Sequence, residues 1–119
     1  MKIADLFFSF QGRAARRHWW AVQAVLLAVT FPLVVLLDRI ANQSIAGGTA
    51  LAWLGFALGM LVPITWVNFA ITVKRFHDRG KNGAWSMIVL APYVGALWAL
   101  VECGFLGGDA HENAYGAPV

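Results

Sequence analysis

The chain has 119 residues, 60% of them hydrophobic and only 13% charged, with a formal net charge of +3. Soluble domains run at about 45–50% apolar and about 25% charged, so this composition excludes an ordinary water-soluble domain and calls for a bilayer as solvent. The single cysteine, Cys103, excludes an internal disulfide framework and a cysteine-built zinc site.

Residues 1–17 combine apolar Ile3, Leu6, Phe7, Phe8 and Phe10 with basic Arg13, Arg16 and Arg17. Such a segment is read as short, amphipathic and interfacial, lying along the inner leaflet. Next comes "WWAVQAVLLAVTFPLVVLL", residues 19–37, without a charge in 19 positions. At about 1.5 Å per residue it matches the roughly 30 Å hydrocarbon core. A cleaved signal is not expected, because the apolar body is long and two further runs follow. The second run covers about 50–73. The third covers about 84–106 and holds one ionisable side chain, Glu102. The expected fold is all-α: one membrane domain, 1–119, with three transmembrane helices behind the interfacial segment and a tail at 107–119.

Three crossings would put the N-terminus and the 74–83 connection on one side, with Lys2, Arg13, Arg16, Arg17, Lys74, Arg75, Arg79 and Lys81. The other side would hold Arg39 alone. Positive residues stay cytoplasmic, so a multi-pass protein with a cytoplasmic N-terminus and an external tail is expected. Basic clusters that abut membrane-length runs point to anionic headgroups as partners rather than nucleic acid.

Within the spans, Gly55 and Gly59 form a GxxxG pair, and Ala91, Gly95 and Ala99 recur every four residues; Ala21, Ala24 and Ala28 offer a similar row. Small faces let helices approach closely, either within one three-helix unit or between copies in a homo-oligomer. Pro32, Pro63 and Pro92 each interrupt a run and are expected to kink it. Gln23 and Asn68 fall at a similar shallow depth, so an interhelical hydrogen bond that fixes register is expected. Glu102 lies far along a straight third helix and is expected to pair with Arg39. Trp19, Trp20 and Trp85 suit an interfacial aromatic belt, with Trp66 and Trp98 packed deeper.

The stretch "KRFHDRGKNGAW" concentrates charge between two apolar runs. Gly80, Asn82 and Gly83 are turn formers, so the second helix is expected to run through Arg79, with Asp78 paired to Lys74 or Arg75. His77, His18 and Asp78 match no metal signature, and no cofactor is expected. Arg13, Arg16, Arg75, His77, Asp78, Arg79 and Lys81 form the candidate site for an anionic lipid or a partner protein, with fixing of topology as the plainer role.

Three motifs give the chain a family resemblance. Phe10, Gly12, Arg13 and Arg16 lead into Trp19 and Trp20. Arg75, His77, Asp78, Gly80, Lys81, Gly83 and Trp85 form the loop, and Asn113, Tyr115, Gly116 and Pro118 form the tail. In this order they resemble the small bacterial inner-membrane proteins grouped as domain of unknown function 805. Asn82 and the "GGDAHEN" lead into the tail depart from the usual pattern. The resemblance implies an integral inner-membrane protein without an established activity, and its polar loop suggests a role beyond topology. No G-x-S-x-G, P-loop or H-E-x-x-H is present. A non-enzymatic lipid- or partner-binding protein is therefore expected, with a small oligomeric transporter or channel as the alternative.

Overall fold

The computed structural model describes residues 2–42, 47–91 and 93–119, and the expected kink at Pro92 lies outside them. Among the described residues the regular structure is all helical, apart from one isolated Asn113–Gly116 bridge. A six-residue helix α1 (Ile3–Phe8) precedes two long ones, α2 (Arg16–Asn42) and α3 (Gly47–Asp78). A 3-10 segment (Gly83–Leu90), a short α4 (Val94–Ala99) and a π turn (Leu100–Phe105) follow.

Helices α2 and α3 are long and apolar enough to cross a membrane, and only 17% and 11% of their most apolar stretches are buried within the molecule. A soluble protein's core helix would be buried. Here Leu27, Phe31, Leu51 and Val62 face outward, which lipid solvates without cost. Pro32 and Pro63 sit inside their helices. At the start of α2 the Ala15 N–H donates to His18 Nδ1 at 3.2 Å, half of a capping box. At the end of α3, Gly80 takes φ +75° while Lys81 N–H bonds Phe76 O and Gly80 N–H bonds His77 O. That Schellman arrangement closes the helix at Asp78, one residue earlier than expected.

The region expected to be a third span, 84–106, forms no single helix. Ala91, whose next residue in sequence is a proline, is extended (φ −79°, ψ 114°), as the position before proline prefers. Tyr93 then has φ +62°, and α4 turns back onto the 3-10 segment. Gly95 makes this approach possible: a Cβ there would collide with the Ile88 carbonyl. Eight residues of 3-10 helix rise only about 16 Å, half of the bilayer core, so the outgoing arm is too short to cross.

Consequently the chain after the hairpin returns to where it began. Trp20 Nε1 donates to Gly104 O at 2.9 Å, Arg16 to Phe105 O at 2.9 Å, and Asn113 Nδ2 to His77 O at 2.9 Å. The tail, expected opposite the N-terminus, lies at the same end of the molecule. The core gathers there too: Trp19, Val22, Val67, Ile71, Phe76 and Cys103 are buried together, with Leu6 and Phe7 of α1 against them. Trp19 is therefore core rather than belt, whereas Trp66 and Trp98, expected to be packed, are about half exposed.

The small residues divide. Gly95 and Ala99 are buried in the hairpin, but Ala91 is exposed, and Gly55 and Gly59 face open space. The alanines of α2 also point outward. Gln23 Nε2 does donate to Asn68 Oδ1 at 2.9 Å across α2 and α3.

Candidate functional site

At 32 residues, α3 is about 48 Å long and outlasts a roughly 30 Å hydrocarbon core. Its apolar run ends at Val73, so the last turn carries Lys74, Arg75, His77 and Asp78 out to the interface. There the N-terminal loop, the end of the hairpin and the tail close over them. All four side chains are buried.

Asp78 is the centre. Its Oδ1 accepts from Arg13 Nε at 2.9 Å and its Oδ2 from Arg75 Nη1 at 2.6 Å. Arg13 spends its remaining donors on carbonyls: Nη2 to Asp78 O and Asp109 O (3.2 and 2.6 Å), Nη1 to His111 O and Gly116 O (2.9 and 3.1 Å). All five guanidinium N–H groups are thereby engaged. Arg75 Nε donates to Cys103 O at 2.8 Å, and its other nitrogens reach Ala14 O and Leu106 O. One carboxylate and two guanidinium groups thus bind four stretches of chain together. A buried charge survives only when it is paired and fully hydrogen-bonded, and the carbonyls provide what Asp78 alone does not. Glycine is required where the tail crosses, because a Cβ at Gly108 would overlap the Asp78 carboxylate.

His77 Nδ1 meets Gly12 O at 2.9 Å, and the ring stacks on Tyr115 at 3.9 Å, only 3° from parallel. Burial pushes its pKa below the ordinary histidine value, partly offset by the Gly12 carbonyl. The ring is therefore held between loop and tail. Lys74 Nζ donates to Asp5 O and Leu6 O, pinning α1 to α3. Asp78 consequently pairs with Arg75, not Lys74.

A second ion cluster corrects the expected Arg39–Glu102 pair. Glu102 is 4% exposed and bonds Lys81, Arg79 (3.3 Å) and Trp98 Nε1. The expectation assumed a straight helix carrying Glu102 across the bilayer, whereas the hairpin brings it back beside the loop. Lys81 also lies 4.9 Å above the Trp85 ring, a cation–π contact.

Of the seven residues proposed from sequence, Arg13, Arg75, His77 and Asp78 meet in one cluster, and Arg79 and Lys81 join Glu102 beside it. Arg16 remains exposed next to it. The acceptors Ala14, Cys103, Leu106, Asp109 and His111 were not foreseen. They act through backbone carbonyls, which every residue has, so side-chain identity carries no signal of that role. Among the described residues, no three His, Cys, Asp or Glu side chains come together as metal ligands. The three sequence motifs thus form one structural unit.

Residues 7–117 match the family model described as protein of unknown function (DUF805). The chain belongs to that family. Among its relatives is Inner membrane protein YhaH of Escherichia coli, 32% identical over 98% of this chain and 91% of the relative. Uncharacterized protein YiiR is 30% identical (98% and 89%), and Inner membrane protein YhaI is 26% identical (98% and 90%), both from the same organism. No solved structure matches. The family assignment agrees with the two apolar helices: this is a helical membrane protein of a family whose activity is unknown.

Proposed function

We propose that the chain is a non-enzymatic inner-membrane protein that crosses the bilayer twice, keeps both termini cytoplasmic, and binds anionic lipid with cations left outside its buried ion cluster. Eight of its nine basic residues belong to the polar end and Arg39 to the other, and basic residues stay inside. The observation that carries the lipid reading is which cations are exposed. Arg13 and Arg75 are buried and internally bonded, whereas Arg16 and Arg17 are exposed at the start of α2, and Arg79 and Lys81 are partly exposed. His77 and Asp78, which an interfacial enzyme would use, are committed to internal contacts.

Native mass spectrometry from mild detergent, comparing wild type with Arg16→Gln/Arg17→Gln, tests this. Each lost cation is expected to lower relative affinity for anionic lipid roughly fivefold. Unchanged retention would end the proposal. Arg75→Ala is unsuitable, since it dismantles the cluster.

A second reading, a small oligomeric transporter or channel, draws on Gly55 and Gly59, which face open space on α3. It requires a defined oligomer in the same spectra and flux in liposomes.

A further inference from the structure

An apolar groove of about 570 Å³ runs along the outer side of α4, walled by Leu97, Trp98, Val101 and Leu106 and headed by Arg79 and Lys81. Leu97 and Val101 are more than half exposed to the surroundings. The two cations are only partly spent. Arg79 Nε bonds Glu102 and Nη1 bonds Gly107 O at 2.7 Å, while its Nη2 has no partner among the described residues. Lys81 gives a single hydrogen bond, to Glu102, of the three it can make. The side chains of Arg79 and Lys81 are 21% and 31% exposed. Glu102 has both oxygens occupied, Oε1 by the cations and Oε2 by Trp98.

We infer that this groove is a site for a single anionic phospholipid, with its phosphate at Arg79 Nη2 and Lys81 Nζ and one acyl chain along α4. Two cations against one carboxylate leave a charge of +1, which complements a singly negative headgroup. The wall below is apolar and begins where the headgroup ends, the order of parts in a phospholipid. A soluble anion would use the cations but not the wall, whereas a phospholipid uses both. The inference rests on the anionic-lipid reading above and adds to the cations at Arg16 and Arg17 one defined lipid position.

Quenching of Trp98 by brominated acyl chains locates the lipid. The protein is reconstituted with brominated phosphatidylglycerol or brominated phosphatidylcholine, and the Trp98 signal is taken by difference against Trp98→Phe. Stronger quenching by the anionic lipid is expected. Arg79→Gln should reduce that preference roughly fivefold. Val101→Phe, which fills the groove and leaves both cations in place, should reduce quenching by either lipid. Equal quenching by the two lipids, with anionic lipid still retained in native spectra, overturns the groove and leaves the headgroup reading intact. Loss of anionic retention altogether overturns both.

Discussion

Asp78 shows how much one side chain can hold. Among the described residues it is the only acid whose side chain bonds Arg13 and Arg75, both buried. Asp78→Ala would leave two guanidinium groups inside with carbonyls alone. Breaking a buried pair costs about 3–5 kcal/mol, so the thermal unfolding of this variant in detergent should shift strongly downward. A loss below about 1 kcal/mol, the range of an exposed pair, would mean that the carbonyls suffice. Sequence pattern placed Arg75 and Asp78 one turn apart on α3 and so made their pairing legible. It gave no hint that Arg13, 65 positions earlier, takes the other oxygen.

At the scale of the element, the hairpin of 83–106 is the departure that matters most. Its composition satisfies a span, but its backbone does not, because Ala91 is extended and Tyr93 lies in left-handed space. Hydropathy measures whether a segment tolerates lipid, and both a crossing and a re-entrant helix do. Tight packing of the two arms decides between them. Gly95→Val should therefore destabilise by about 1–3 kcal/mol or more through overpacking, whereas Gly59→Ala, which meets open space, should be close to neutral. Equal tolerance at both positions in thermal melts would show that the arms do not touch. The Gln23–Asn68 bond was readable without coordinates, since depth along two neighbouring apolar helices is set by counting residues from their ends.

For the whole molecule, the proposed function counts two crossings, because the hairpin returns the chain to the end where it began. With two crossings, cysteines introduced at Gln11 and Ala117 should react with an impermeant thiol reagent from the same side of the membrane, and one at Asn42 from the opposite side. Native Cys103 is fully buried and should stay unlabelled. Labelling of Gln11→Cys and Ala117→Cys from opposite sides would restore a third crossing. The return of the chain explains why Glu102 finds Lys81 and Arg79 rather than Arg39, and why the family's lead, loop and tail motifs meet at one end.

Composition and periodicity by themselves determined that the chain is helical, belongs in a membrane and gathers its positive charge at one end, because these are local and additive properties. Three motifs in order were enough to place the family. What the tertiary structure alone decided is which charges remain available. Arg13 and Arg75 look like headgroup ligands in sequence, yet the path of the chain surrounds them with carbonyls and an aspartate, while Arg16, Arg17, Arg79 and Lys81 keep some exposure. Burial and hydrogen-bond partnership depend on segments far apart along the chain, so no window of sequence contains them.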